Sequence, residues 1–299
     1  MSMAGHTNVS PLKESPFPSA PHWKLPAGAC DCHCHVFGPY DRFPLAPDKT
    51  YLPPEAPAAL YLRMLDTLGA DRGVLVQASA CGLDNSAMLD ALQGAPDRLR
   101  GVAVVPGGTP LAELRSLRDC GVRGLRLARN LMPDGSQRYK NTVDIAALDS
   151  LLPAMRELEM HVQLWISFEQ LGVLEPMIRA AGIPFALDHI GRLDPTRGLQ
   201  DPDFQTLCRL VGDGLLWVKL TPYRSSLAYP DHADMRPYHE QLVRLNPERV
   251  LWGSDWPHIN LDHDIPDGGH LLDLLDAWTP DRATLHRILV DNPAALYGF

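Results

Sequence analysis

The chain has 299 residues, of which 45% are hydrophobic and 21% charged, so it can bury a large core as a globular protein. Its formal net charge of −9 at pH 7 argues against nucleic acid as a partner, because binding to a phosphate backbone requires a basic surface. No run of about 18 apolar residues is present, so a membrane-spanning helix is not expected.

The first 27 residues are dense in proline and serine and lack the continuous apolar stretch of a signal peptide. We therefore expect an extended N-terminal arm over residues 1–27 and a cytoplasmic protein. The six cysteines match neither a disulfide framework nor a CxxC zinc pattern, so they are expected to be reduced core residues.

Strand-like and helix-like segments alternate along the rest of the chain. The strand-like runs are rich in Val, Ile and Leu, as in parallel strands buried on both faces, and the repeating order requires crossover helices. The predicted strands are 29–37, 73–78, 101–105, 122–128, 161–167, 185–189, 215–220 and 250–253. The predicted helices are 58–68, 86–92, 111–119, 145–158, 171–180, 203–211 and 238–245, followed by two closing helices at 271–278 and 283–289.

Eight such units in about 250 residues predict a closed (β/α)₈ TIM barrel of the α/β class, a single domain over residues 28–299. No glycine-rich phosphate motif follows the first strand, which argues against a doubly wound open sheet.

The first predicted strand carries a His-x-His pair. Side chains alternate along a strand, so His33 and His35 are expected to share one face while Cys32 and Cys34 share the other. Two imidazoles directed at one point can bind a metal, a carbonyl oxygen or an activated water. The alternative for each is a hydrogen-bonded core histidine, and the later Asp255 in the SDWPH segment favours the functional interpretation.

The active site of such a barrel lies at the carboxyl ends of its strands. The residues that the predicted strands place there are His33, His35, Ser79, Arg126, Arg129, Trp165, His189, Lys219, Arg224, Asp255 and His258. His161 begins its strand and is expected at the opposite, stability-bearing face.

Three arginines near this end predict an anionic substrate. Arg126, Arg129 and Arg224 would concentrate positive charge at the mouth of an acidic protein, and guanidinium groups bind carboxylates bidentately. We expect a substrate with more than one carboxylate. For any one arginine, an ion pair with a loop carboxylate is the alternative.

Five motifs, DCHCHVFGP, VLVQAS, GLRL, LDHIGR and VLWGSDWPH, occur in this order and resemble the amidohydrolase superfamily. Further segments, HVFGP, Phe43-Pro44, Tyr51-Leu52-Pro53 and Ile265-Pro266-Asp267, resemble its branch around 2-pyrone-4,6-dicarboxylate lactonase. The resemblance runs from about Ala29 to Phe299. It implies a hydrolase that opens a carboxylated lactone in the catabolism of aromatic compounds.

The resemblance implies that Asp255 is the general base that activates water, while His33, His35 and His189 polarise the lactone carbonyl. The expected substrate-binding residues are Arg126, Arg129, Arg224, Tyr51, Ser79, Trp165, His258 and Asn260.

Members of the superfamily with a two-metal centre resemble one another in a strand-4 Lys or Glu and a strand-5 His. Arg126 and Trp165 stand at those positions here, and the arginines already supply positive charge, so no metal is expected to be required. The alternative is one zinc or manganese ion held by His33, His35 and Asp255.

Other functions remain open at this point. A sugar-lactone hydrolase or lactone isomerase of the same branch would need hydroxyl-binding groups in place of the arginines. More distant alternatives are a metal-dependent decarboxylase, against which Trp165 counts, and a non-catalytic anion-binding protein. Trp165 and the segment RLARNLMP depart from the pattern of the pyrone dicarboxylate enzyme, which leaves the identity of the lactone open. The oligomeric state and the proton donor to the leaving group are also open.

Overall fold

Eight parallel strands pair in chain order and form the barrel. The computed structural model describes residues 11–132, 134–261 and 263–299. The strands are β1 (Cys30–Cys34), β2 (Arg72–Val76), β3 (Leu99–Ala103), β4 (Val122–Arg129), β5 (His161–Ile166), β6 (Phe185–Leu187), β7 (Leu216–Lys219) and β8 (Val250–Leu251), in the order β1-β2-β3-β4-β5-β6-β7-β8. Backbone bonds between β1 and the segment after β8 close the barrel, as from Cys32 N to Trp252 O (3.0 Å) and from Asp255 N to His33 O (2.7 Å). The predicted (β/α)₈ barrel is confirmed, and every strand boundary lies within three residues of its predicted position.

Helices cover the outside of the barrel. They are α1 (Ala58–Leu68), α2 (Ser86–Gly94), α3 (Leu111–Asp119), α4 (Leu148–Glu157), α5 (Leu171–Ala181), α6 (Pro202–Gly212), α7 (Arg236–Leu245), α8 (Gly268–Trp278), α9 (Arg282–His286) and α10 (Asn292–Tyr297), with a π-helical turn (Arg287–Asp291) between the last two. The sequence of α1 explains its burial, because Tyr61, Met64, Leu65 and Leu68 recur at helical spacing and all face the sheet. Within the three described ranges, no helix has the length and apolar character needed to cross a membrane.

The core has two layers. The larger one lies between the helices and the outer face of the strands, and the smaller one fills the interior of the barrel. The interior layer consists of Cys30, Cys32, Val74, Val76, Val102, Ala186, Trp217, Leu251 and Tyr297. Above this apolar floor, at the carboxyl ends of the strands, the interior positions are polar, and this change locates the candidate site.

An irregularity in β1 changes which side chains share a face. The pairing of β1 with β2 shifts between Asp31 and Cys34. Cys32 therefore packs inside the barrel while Cys34 packs in the outer layer, so the predicted common face for these two cysteines is wrong. The shift brings His33 into the interior, where it meets His35. All six cysteines are free thiols.

The described part of the predicted arm packs against the start of α8. The Ser19 hydroxyl donates to Asp267 Oδ1 at 2.8 Å, the His22 amide donates to Asp273 Oδ1 at 2.8 Å, and the Trp23 indole donates to Leu272 O at 3.3 Å. Residues 1–10 of the predicted 1–27 arm lie outside the described residues.

Candidate active site

Asp255 lies at the centre of the polar cluster above the barrel core. The chain turns inward after β8, and Asp255 adopts left-handed backbone with φ 57°, a conformation that costs a non-glycine residue about 1–3 kcal/mol. Its Oδ1 lies 3.5 Å from His33 Nε2 and 3.3 Å from His35 Nε2, and its Oδ2 lies 3.6 Å from His189 Nε2. All four side chains are buried. The convergence expected from the sequence is therefore present in the structure.

The two oxygens of Asp255 have different environments. Oδ2 accepts hydrogen bonds from Arg224 Nε at 2.6 Å and from the Tyr223 hydroxyl at 2.7 Å. Oδ1 accepts no hydrogen bond from any described residue. Burial alone would raise the pKa of Asp255, but Arg224 together with the neighbouring imidazoles outweighs burial and holds that pKa well below its usual value. Asp255 is thus a carboxylate with one oxygen available to take a proton.

The orientation of His35 is fixed by a backbone carbonyl. Its Nδ1 lies 2.7 Å from Val76 O, and because a carbonyl oxygen only accepts, Nδ1 carries the proton that is donated there. The other nitrogen, Nε2, faces Asp255 Oδ1. With its proton on Nδ1, His35 directs the Nε2 lone pair at Asp255 Oδ1. A proton or a cation between Nε2 and Oδ1 would therefore stabilise the contact between the two side chains.

A buried network orients His33 from below. Lys219 Nζ donates to Gln163 Oε1 at 2.7 Å and lies 3.1 Å from His33 Nδ1. Asp188 Oδ1 lies 3.2 Å from the same nitrogen, and Asp188 Oδ2 accepts from Arg126 Nη2 at 3.0 Å. Burial lowers the pKa of Lys219. Burial would raise the pKa of Asp188, but His33, Lys219 and Arg126 together hold it well below its usual value.

His189 reaches the site from a strained turn. β6 ends at Leu187, and the next turn holds four successive residues, 189–192, in left-handed backbone with φ of 53°, 51°, 69° and 57°. Only Gly191 adopts this conformation without cost, and a Cβ at Gly191 would lie 2.4 Å from the Phe168 ring. The turn directs His189 toward Asp255 and Arg192 into the cavity above it. Strain of this kind is concentrated at functional sites.

The cavity above Asp255 has a volume of about 180 Å³ and a cationic, partly aromatic wall. The guanidinium of Arg126 lies 4.4 Å from the centre of the Trp165 ring. The Tyr139 ring stacks on the Trp165 ring, with the two ring centres 4.6 Å apart. The predicted residues that line the cavity are His35, Tyr51, Arg126, Trp165, His189, Arg224, Asp255 and Asn260. Such a wall suits a planar anion.

Three predicted substrate-binding residues lie outside this cavity. Arg129 is three positions from Arg126 on β4, which places it on the opposite face of the strand, and it pairs there with Asp144 at 2.6 Å. Ser79 lies behind the wall, with its hydroxyl 3.4 Å from that of Tyr51. His258 is buried, with Nδ1 3.3 Å from the Tyr223 hydroxyl. His33 also lies beneath the wall, in contact with Asp255.

A family model described as amidohydrolase matches residues 30–299. The chain belongs to the amidohydrolase family. It is 37% identical to a 2-pyrone-4,6-dicarboxylate hydrolase of Comamonas testosteroni, over 94% of this chain and 93% of that protein. It is 36% identical to a 4-sulfomuconolactone hydrolase of Rhizobium radiobacter, over 99% of this chain and 98% of that protein. Among solved structures, a Pseudomonas putida protein described as a candidate 2-pyrone-4,6-dicarboxylic acid hydrolase superposes with a TM-score of 0.78 at 33% identity, covering 92% of this chain and 98% of the other. The resemblance predicted from the motifs is confirmed.

Several residues of this amidohydrolase site were missed in the sequence. Gln163 and Asp188 are buried polar residues in or directly after apolar strands, and that position is itself a signal that could have found them. Arg192 and Tyr223 follow strand ends, but nothing in their spacing indicates which way they point. Tyr139 lies in the long segment between β4 and α4, which has no periodicity.

The donor set also fits one divalent cation. His33, His35 and Asp255 each offer a ligand atom, and the three atoms lie within 4.8 Å of one another. The separations of 3.3 and 3.5 Å from Asp255 Oδ1 to the two Nε2 atoms are close to the ligand spacing of about 3.3 Å around a tetrahedral zinc ion. His33, Asp188 and His189 form a second such group. The geometry is thus compatible with the one-metal alternative as well as with a site that works without metal.

Proposed function

We propose that this amidohydrolase opens a carboxylated lactone by adding water to the lactone carbonyl. The observation that carries the proposal is Asp255, a buried carboxylate at the base of a cationic cavity. Its Oδ1 faces the imidazoles of His33 and His35 and accepts no hydrogen bond from a described residue, and its Oδ2 faces His189. The named relatives add support, because two of them are hydrolases of a pyrone dicarboxylate and of a sulfonated muconolactone.

In the first step, a water molecule gives its proton to Asp255 Oδ1 and its oxygen bonds to the lactone carbonyl carbon. The carbonyl oxygen becomes an oxyanion, which imidazole N–H groups of His33 and His189 stabilise, since the Nδ1 proton of His35 is donated to Val76 O. In the second step, the bond between that carbon and the ring oxygen breaks. The leaving oxygen takes a proton from the Asp255 carboxyl or from a neighbouring imidazole, so the product is a ring-opened acid and Asp255 returns to its carboxylate form.

The Lys219 contact favours His33 as a hydrogen-bond donor. A lysine ammonium has donors and no acceptor, so its contact with His33 Nδ1 leaves the imidazole proton on Nε2, directed toward Asp255 Oδ1. In the other tautomer, Nδ1 donates to Asp188 and Nε2 becomes a free lone pair. The first tautomer suits oxyanion stabilisation, and the second suits a metal ligand.

We propose that the enzyme works with the His33 proton on Nε2, without a required metal. The charges support this choice, because four cationic side chains face two carboxylates in and below the cavity: Arg126, Arg192, Lys219 and Arg224 against Asp188 and Asp255. If a zinc or manganese ion is bound, His33, His35 and Asp255 would hold it, and it would polarise the carbonyl and lower the pKa of a bound water.

Three arginines are the proposed anchors for the substrate anion. Arg126 donates to Asp188 and to Gln77 O, and Arg224 donates to Asp255 and to Ile259 O. Both line the cavity, so the N–H groups that these bonds leave over can reach a substrate anion. Arg192 lines the cavity and forms no ion pair with any residue the structure describes, so its whole guanidinium is available. The stacked Trp165 and Tyr139 rings provide a flat apolar surface for a conjugated lactone ring.

The test is a panel of lactones followed by their ultraviolet absorbance: 2-pyrone-4,6-dicarboxylate, muconolactones and neutral sugar lactones. We expect hydrolysis of the dianionic pyrone or of another anionic lactone, and the same activity after dialysis against a chelator. Turnover of sugar lactones alone would contradict the carboxylated substrate. Loss of activity on chelation, with recovery on adding zinc or manganese, would contradict the metal-free mechanism.

A further inference from the structure

A second cavity, of about 460 Å³, lies at the opposite end of the barrel from Asp255. It is formed where β4 and β5 begin and where α3, α4 and α5 end. It shares no lining residue with the cavity above Asp255, which we call the upper cavity. Its wall combines cationic and apolar side chains, among them Arg118, Arg123, Arg156, His161, Trp217 and Ala295. We call this space the lower cavity.

The three arginines of the lower cavity are only partly used by the protein. Arg118 Nε donates to Leu158 O at 3.1 Å, and Arg156 donates to Ala181 O at 2.9 and 2.6 Å, which caps the ends of α4 and α5. Arg123 Nη1 donates to Arg118 O at 2.8 Å and to Val122 O at 3.0 Å, while its buried Nε has no partner among the described residues. Within those residues, none of the three forms an ion pair with a carboxylate.

The charge of the lower cavity is correspondingly unbalanced. One carboxylate, the exposed Glu159, lines it beside the three guanidinium groups. Burial and the nearby charges of Arg118 and Arg100 lower the pKa of Arg123 to about 10. Burial is the larger cause of this shift, and the two neighbouring guanidinium groups add repulsion that an anion in the cavity would relieve.

His161 is the second observation that points to a ligand. It is 2% exposed, lines the lower cavity and packs edge to face against Tyr297 at 5.2 Å, and neither ring nitrogen makes a hydrogen bond of normal geometry with a described residue. Burial lowers its pKa to about 3, so the ring is neutral, with one donor and one acceptor nitrogen. Buried polar atoms are normally paired, and a purely stability-bearing histidine at this face would be expected to find a protein partner.

We propose that the lower cavity binds a small polycarboxylate. Guanidinium groups bind carboxylates bidentately, and three of them surround the space. Trp217 forms part of the wall, but it is buried and the Arg249 guanidinium lies 4.7 Å from its ring centre, so the ligand is recognised by its charge. This site is separate from lactone hydrolysis and does not depend on the proposed function.

Isothermal titration calorimetry of the full chain with benzene-1,3,5-tricarboxylate tests the proposal. Ala295→Phe adds a bulky ring to the wall of the lower cavity and leaves the three arginines in the sequence, and Arg123→Gln removes a charge. Each is expected to weaken binding at least about tenfold. Ala180→Phe adds the same ring to an exposed position on α5 outside the cavity and is expected to leave binding unchanged. Inorganic phosphate is expected to bind at least about tenfold more weakly, since one small anion cannot pair with three guanidinium groups as a tricarboxylate can.

Arg126→Met distinguishes binding at the upper cavity from binding at the lower cavity. This variant is expected to keep the binding heat that comes from the lower cavity. Wild-type binding in Ala295→Phe, loss of all binding in Arg126→Met, or no binding by the wild type would overturn the proposal. Thermal melts of the variants show whether each is folded, and Ala295→Phe keeps the test valid if Arg123→Gln is unstable. An equal affinity for phosphate would contradict the recognition of several carboxylates.

Discussion

Replacing Arg224 by Met is expected to raise the pKa of Asp255 and to move the acid limb of the pH–rate profile upward. Arg224 Nε lies 2.6 Å from Asp255 Oδ2, and both side chains are at most 10% exposed. For charge centres about 4 Å apart at an effective dielectric constant of about 20, the attraction is at most about 4 kcal/mol. An attraction of this size is large enough that its loss should raise the pKa of Asp255 and move the acid limb measurably.

The sign follows from the direction of the shift. In the wild type the pKa of Asp255 is depressed, so the base is lost only when the pH falls through that low value. In Arg224→Met the carboxylate takes up its proton at a higher pH, and kcat/KM declines earlier on acidification. Since a buried carboxylate then lacks its partner, stability at neutral pH is expected to fall by about 3–5 kcal/mol, and this loss shrinks as Asp255 is protonated.

The assay is kcat/KM on an accepted lactone from about pH 4 to about pH 9, with thermal melts at both ends. Arg129→Met is the matched control, because it breaks an Arg–Asp pair that lies outside the cavity. Its acid limb is expected to coincide with that of the wild type. An unchanged acid limb in Arg224→Met would refute the role of Arg224 in setting the protonation of Asp255.

Two further substitutions test the anchor and the buried network. Arg126→Met is expected to raise KM for a carboxylated lactone, with a loss of about 2–5 kcal/mol in transition-state binding, while unchanged steady-state constants would indicate a neutral substrate. Lys219→Met is expected to free His33 Nδ1 to donate to Asp188, which lowers kcat about 10- to 100-fold and increases zinc affinity in equilibrium dialysis. Wild-type zinc affinity in Lys219→Met would contradict the tautomer assigned to His33.

The barrel was predictable because strand and helix periods differ and alternate eight times along the chain. The positions of His33, His35 and Asp255 followed from the strand ends, since parallel strands bring their carboxyl ends to one edge. The position of Arg129 outside the cavity could also have been predicted, because residues three apart on a strand point to opposite faces. The same rule failed for Cys34, where the shift in β1 pairing breaks the alternation.

Other features depend on contacts that no local pattern encodes. The left-handed turn over 189–192 contains only one glycine, so the positive φ angles of its other three residues could not be predicted from composition. The bond from Lys219 to Gln163 joins β7 to β5, and the pairing of Arg126 with Asp188 joins β4 to the end of β6. Such partners become visible only when the barrel closes and the interior positions of different strands face one another.

The most direct test of the central claim is Asp255→Asn with an accepted anionic lactone. The amide keeps the shape and can still accept from Arg224 and Tyr223, but it cannot take a proton from water. Single-turnover kinetics and equilibrium binding on the same preparation are expected to show a chemical step slowed about 10²- to 10⁴-fold, with the substrate dissociation constant nearly unchanged. An Asp255→Asn enzyme that opens the lactone at close to the wild-type rate would show that Asp255 is not the general base.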